Sequence, residues 1–336
     1  MTRDPELLPP FRLGSLAVDF PVGLAALSGY GDWPMRVIAK RLGAGHTTAE
    51  VLLSQFVVNV SKGRKARRFL RVSDDEHPVG AQLMGDAVES IGAAAAKLVE
   101  AGFDWIDLNF GCPVKKVVGK CRGGYLLSRP EVALEIVSRL RDAVPPEVPV
   151  TVKMRRGMDD SPESRDRFYA IFDGAFARGA AAVTVHPRTV RQRYDGRSSW
   201  EFLREVKRHA GDRVVLGSGD LFTAHDCLRM VAETGVDGVM VARGAIGNPW
   251  IFAQVRALAA GRPLPPPSLD QQREVIAEHY RLAERIYGPV ACGRVMRKFG
   301  IKYASLHPQP ERVRDAFVAV RKPGQWRTVL EGWYGV

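Results

Sequence analysis

Cysteine is scarce in this chain: four residues in 336, Cys112, Cys121, Cys227 and Cys292, with no CxxC spacing and no regular framework. That argues against a disulfide scaffold and reads as reduced thiols in a cytosol. Metal ligation is disfavoured as well, because Cys121 lies nine residues beyond Cys112 and no histidine neighbours either one. Long apolar runs are absent. No stretch approaches the roughly 20 residues needed to span a bilayer, and the opening MTRDPELLPP lacks the apolar run of a signal peptide. The expectation is a cytoplasmic protein with no membrane attachment, no metal and no obligate protein partner. Acidic residues are the minority, 37 against 49 Lys and Arg, for a net charge of +12. Such a surplus favours a polyanionic partner, since clustered cations gain affinity by releasing counterions from phosphates.

What the chain does have is enough apolar material for a core: 46% hydrophobic and 26% charged residues, an ordinary globular balance. Its length suits a barrel of about 250 residues with an appended module. Short β-rich runs bounded by breakers recur at 22–27, 46–53, 78–85, 105–111, 149–155, 181–187, 213–220 and 235–244. Between most of them lie segments with apolar residues three and four apart, such as AVESIGAAAAKLVEAG and RPEVALEIVSRLRDAV. Alternating strands and helices imply a parallel sheet, and eight repeats predict a closed (β/α)8 TIM barrel, an α/β fold. A doubly wound open sheet is the competing architecture. It is disfavoured because no GxGxxG follows the first strand. The second-to-third connection, SQFVVNVSKGRKARRFLRVSDDEH, is the least regular. The predicted division is a catalytic barrel over 1–252, a proline-rich linker over 253–269 and a small all-helical domain over 270–336. Residues 253–336 carry 14 Lys and Arg against 7 Asp and Glu, more than half of the chain's excess charge.

In a barrel the active site lies at the C-terminal ends of the strands. Unusual residues collect there: Gln82, then Asn109 and Cys112, Lys153 and Arg155, His186 and Arg188, GSGD at 217–220, and ARGAIGNP at 242–249. The last two are glycine-rich turns at neighbouring strand ends. With Arg243 they predict a phosphate site, although Gly219 and Gly244 could instead only permit tight turns. Lys153 sits in the apolar run PVTVKM, where an unpaired ammonium is costly to bury. It meets either an anion or polar cofactor edge, or a carboxylate such as Asp107 or Glu50. Arg188 alternates with His186, so both can face the substrate. Cys112, with Lys115 and Lys116 close by, suits a general acid or a nucleophile, against the bland alternative of a small buried hydrophobe. A cysteine protease leaves the phosphate site unexplained.

Taken together, DLNFGCPVKKV, GAQLMG, VTVKMRRG, VTVHPRT, GSGD, GVMVARGAIGNPWIF and YGP…RVMRKF resemble the tRNA-dihydrouridine synthases, nearest to the bacterial branch, over almost the whole chain. The resemblance implies an FMN-dependent oxidoreductase that reduces the C5=C6 bond of a uridine in tRNA, with NADPH reloading the flavin and Cys112 protonating C5. It places flavin contacts at Ala26, Leu27, Ser28, Gln82, Lys153 and His186, and the flavin phosphate at Ser218, Gly219, Asp220, Ala242 and Arg243. Asn109 falls beside flavin and uracil. Arg294, Arg297, Lys298 and Lys302 fall at helical spacing and imply an RNA-facing surface, or else a solvated helix face; SKGRKARRFLR at 61–71 offers a second basic edge. The chain departs from the usual family pattern at Ala26-Leu27, Pro187, Ser218, Ala242 and Tyr125. Two other readings remain: an FMN barrel acting on a small molecule, like a dihydropyrimidine or dihydroorotate dehydrogenase, and an RNA-binding protein with a decayed flavin site.

Overall fold

The computed structural model describes residues 8–60, 63–85 and 88–335. A two-stranded antiparallel hairpin comes first, β1 (Phe11–Leu13) and β2 (Leu16–Val18). Eight strands then close into a parallel barrel: β3 (Val22–Leu24), β4 (His46–Leu53), β5 (Val79–Met84), β6 (Trp105–Phe110), β7 (Val150–Arg155), β8 (Ala182–His186), β9 (Val215–Gly217) and β10 (Gly238–Val241), with β10 pairing β3 to shut the ring. The barrel expected from the spacing of the apolar runs is the fold observed.

A period of two places the chemistry. On β5, β6 and β7 the residues Ala81, Leu83, Ile106, Leu108, Val152 and Met154 are fully buried under the surrounding helices. Those between them, Gln82, Asp107, Asn109, Thr151 and Lys153, turn inward. Strand pairing sets them side by side: Gln82 opposite Asp107, Asp107 opposite Thr151, and Asn109 opposite Lys153. At the bottom of the ring the hairpin acts as a plug. Leu13 and Val18 pack with Trp105 and Ala182, and the His46 ring lies edge-on to Phe11 and Trp105. Gly80 is required there, because a Cβ on it would come within 2.1 Å of the Trp105 ring.

The strands end sooner than the apolar runs suggest. β3 stops at Leu24, β9 at Gly217 and β10 at Val241, so the expected site residues just beyond them lie on loops. The irregular second connection folds as two short helices, Ser54–Asn59 and Arg64–Phe69, and a turn at Asp74–Glu76. Within its basic run, Ser61 and Lys62 and the side chains of Arg64 and Lys65 lie outside the described residues. Where the linker is expected to start, at 253, the chain is still helical, over Ile251–Ala259; regular structure is absent only over 262–268.

The C-terminal helices are Leu269–Tyr303, Pro310–Ala319 and Pro323–Tyr334. The first breaks at Gly288, whose φ of 74° precedes Pro289. It packs on the barrel beside the helix Trp33–Arg41: Tyr287 Oη donates to Asp32 Oδ2 at 2.6 Å, and Tyr30 meets Phe299 edge-on at 5.3 Å. Among the described residues, no helix is long and apolar enough to cross a membrane.

Candidate active site

A cavity of about 270 Å3 opens at the C-terminal end of the barrel. Its wall includes Ala26, Leu27 and Ser28 after β3, Gln82 on β5, Asn109 and Cys112 at the end of β6, Lys153 on β7 and His186 on β8. The loops after β9 and β10 add Ser218, Gly219 and Asp220, then Ala242 and Arg243. The two glycine loops pack backbone to backbone: a Cβ on Gly244 would stand 2.1 Å from the Leu221 carbonyl oxygen. Gly219 adopts φ +115°, and a Cβ there would press on Ser198 and the His186 ring.

The Cys112 loop is held on both sides of its backbone. Asn109 Oδ1 accepts from the N–H groups of Gly111 (3.1 Å) and Cys112 (3.0 Å). Arg155 Nε donates to the Gly111 carbonyl at 2.9 Å, and the Gly124 N–H donates to the Cys112 carbonyl at 3.0 Å. That last contact needs the glycines of CRGG, since a Cβ on Gly123 would lie 2.8 Å from the Cys112 Cβ. The thiol is half-buried at the cavity lip.

Its positive surroundings differ from those expected. Lys115 and Lys116 are exposed on the short helix Lys115–Val118, and the cations whose charge couples to Cys112 are Lys153 and Arg155. Burial, and next the charge of Arg155, bring the Lys153 pKa down to about 8, against the pull of Asp107 and Cys112. Among the described residues its ammonium finds no hydrogen-bond acceptor, although it lines the cavity. An acceptor on a bound ligand fits there. Burial, reinforced by Lys153, Arg155, Arg188 and Arg243, drives the His186 pKa down to about 2, so the imidazole is neutral.

Arg188 does not reach the cavity wall. Its guanidinium is buried and grips both oxygens of Asp220, at 2.9 and 2.7 Å, along with the carbonyls of Asp195 and Gly196. Burial works to raise the Asp220 pKa, but hydrogen bonds from the Ser198 N–H and from Arg188 outweigh it and keep the carboxylate charged. In the C-terminal helix, Arg294 and Lys302 are exposed and Arg297 is half-buried. Lys298 is already engaged: its ammonium donates to the Gly29 carbonyl and lies over the rings of Tyr30 and Phe299. Gly29 is held from the other side as well, its N–H donating to Glu50.

Sequence reasoning missed the mouth. Tyr194 and Phe222, about half exposed, flank the Arg243 guanidinium at 5.0 and 5.2 Å. Both sit on irregular loops, where no periodicity marks them. Among the described residues, no group of three or more His, Cys, Asp or Glu could hold a metal ion.

The donors Gln82, Asn109, Lys153 and Arg243, a neutral imidazole and the close-packed glycine loops fit a phosphorylated heteroaromatic cofactor. Comparison with known proteins bears on its identity. The family profile described as "Dihydrouridine synthase (Dus)" matches residues 23–331. A Rickettsia typhi protein named "Probable tRNA-dihydrouridine synthase" is 34% identical over 313 residues, 93% of this chain and 94% of its own. The "tRNA-dihydrouridine synthase B" of Pseudomonas putida is 33% identical over 310 residues, 92% of this chain and 90% of its own. Among solved structures, an old yellow enzyme homologue from Zymomonas mobilis superposes with a TM-score of 0.57 at 15% identity, covering 77% of this chain and 94% of that one. Morphinone reductase in complex with tetrahydroNAD gives 0.54 at 15%, covering 78% and 92%. At that identity the likeness speaks for the barrel alone.

Proposed function

The chain belongs to the dihydrouridine synthase family, and from that premise we propose that it is an oxidoreductase that reduces the C5=C6 bond of a uridine in transfer RNA. The observation that carries the reading is one cavity joining the Cys112 thiol to an unpaired Lys153 and a ring of polar donors. FMN would be held by Gln82, Lys153 and His186 along its ring system and by Ser218, Gly219, Ala242 and Arg243 at its phosphate, with Asp220 kept from repelling that phosphate by Arg188. When bound it would supply a hydride to C6 of the uracil, with NADPH as the reductant that restores it.

The chain's own part is to place the base and deliver the proton. Cys112 gives its thiol proton to C5, so the two π electrons and the added hydride pair end as two C–H bonds. Lys153 and Arg155 stabilise the thiolate left behind, which regains a proton from solvent at the open lip. The target uridine must leave its stack to reach the barrel mouth, and Tyr194 and Phe222 offer ring faces on either side of the entrance. In this reading catalysis falls to the barrel and RNA binding to the helices from Leu269 onward, with the irregular stretch over 262–268 between them. Arg294, Arg297 and Lys302 supply RNA-facing charge, whereas Lys298 holds the junction with the β3 loop.

The test is nucleoside mass spectrometry with position mapping on RNA from cells lacking this gene. Loss of dihydrouridine at one or a few tRNA positions is expected. An unchanged dihydrouridine map overturns the reading.

A further inference from the structure

A chain of hydrogen bonds runs from inside the barrel to the Cys112 backbone. Thr151 Oγ1 donates to Asp107 Oδ1 at 2.7 Å, and Gln82 Nε2 donates to Asp107 Oδ2 at 2.6 Å. Asn109 Nδ2 donates to Gln82 Oε1 at 2.6 Å, and Asn109 Oδ1 accepts from the N–H groups of Gly111 and Cys112. We propose that Asp107 is a positioning residue: its carboxylate fixes the orientation of Gln82, and through Gln82 and Asn109 it braces the loop that carries Cys112.

The hydrogen-bonding capacity of each group dictates that polarity. An amide can reverse its oxygen and nitrogen with little change of shape, so Gln82 takes its orientation from its neighbours, while Asn109 is set at its far end by two loop N–H groups that can only donate. An ionised carboxylate only accepts. Facing Asp107, Gln82 must present its nitrogen, which leaves its oxygen toward Asn109. Asn109 must then present its nitrogen, which leaves its oxygen toward the two loop N–H groups. Reversal anywhere would set donor against donor or acceptor against acceptor in a buried chain, where an unmatched polar group is costly. Asp107 is 5% exposed and Gln82 2% exposed, so water does not compete for these bonds. The same polarity leaves the second N–H of each amide for the cavity that both line.

The inference rests on the reading of Cys112 as proton donor, but its test is independent of turnover. Two single variants, Asp107→Asn and Asn109→Asp, and the double variant are compared with wild type for the rate of iodoacetamide alkylation at Cys112. The rate is followed by mass spectrometry of the peptide that contains Cys112. In Asp107→Asn the loop N–H groups still fix Asn109, so the new amide keeps its oxygen toward Gln82 and the rate is expected to stay within about threefold of wild type. In Asn109→Asp a second carboxylate faces Gln82, whose nitrogen Asp107 already holds, and the loop is displaced. There the alkylation rate is expected to change by about tenfold or more, because small displacements of a held group have effects of that size. In the double variant, Asn at 107 donates to Gln82, Gln82 donates to Asp at 109, and Asp at 109 still accepts from Gly111 and Cys112. The relay is complete in its reversed sense, and the rate is expected to return to within about threefold of wild type. A residue that only fills space predicts the opposite, with two lesions worse than one. An unchanged rate in Asn109→Asp, or a double variant displaced by the product of the two single effects, overturns the proposal. If wild-type protein makes no dihydrouridine, the functional reading fails while the alkylation result still decides the relay.

Discussion

Replacing Lys153 with Met is expected to make the cofactor-free protein more stable while abolishing its activity. The magnitude follows from the position of the group. Burial and the neighbouring Arg155 lower its pKa from 10.5 to about 8, net of the attraction of Asp107 and Cys112. At 1.36 kcal/mol per pH unit, that difference means the charged side chain costs the folded state about 3 kcal/mol at pH 7. The sign follows from linkage. Below pH 8 the amine is protonated in both folded and unfolded chains, so the cost is present in full. Between pH 8 and 10.5 only the unfolded chain keeps the proton, so wild-type stability gains with rising pH. Above 10.5 the cost is gone. Lys153→Met lacks this component at every pH. Urea unfolding of both proteins from pH 7 to 10.5 is therefore expected to show the variant ahead by up to about 3 kcal/mol at neutral pH, with the gap closing toward alkaline pH. For a chain of this length the gap corresponds to a melting temperature about 4 °C higher. A variant less stable than wild type at pH 7, or a gap independent of pH, would refute the idea that Lys153 is kept for a ligand at the expense of the fold.

Cys112→Ala is expected to lower dihydrouridine formation by about 10²–10⁴-fold, the usual contribution of a positioned acid, while bound flavin, read from its visible absorbance, is retained. Glu76→Ala leaves Arg36 buried without its partner, a pair with 2% and 0% exposed side chains at 2.8 Å; a loss of about 3–5 kcal/mol is expected in urea unfolding. Arg294→Ala and Lys302→Ala should each weaken tRNA binding and reduce the slope of log affinity against log salt by about 1. Lys298→Met should instead loosen the loop at Gly29 and lower flavin affinity in a fluorescence titration, with the salt slope unchanged.

The barrel was legible because eight short β-rich runs recur with helix-like segments between most of them, a spacing that needs no knowledge of which strands pair. Gln82, Asn109, Lys153 and His186 converge because each is an inward residue near a strand end. The N-terminal hairpin escaped notice, because strands of three residues are too short to show a period. Neighbours in sequence misled at Cys112. Lys115 and Lys116 follow it closely but sit on an exposed turn of helix, whereas strand register delivers Lys153 and Arg155 from more than 40 residues away. Arg188 escaped for a related cause: its partner Asp220 lies 32 residues on, and alternation with His186 gives a direction but no partner. Asp107 was visible only as a possible counter-ion for Lys153, and its place between Gln82 and Thr151 emerges once β5, β6 and β7 are in register.

The most direct test is a reaction in D2O with purified protein, FMN, NADPH and unmodified tRNA, followed by isotope-resolved analysis of the product nucleoside. Dihydrouridine carrying solvent deuterium at C5 is expected from wild type and not from Cys112→Ala. Product without solvent deuterium at C5, or equal C5 labelling at equal rate without the thiol, would contradict the assignment of Cys112 as the proton donor.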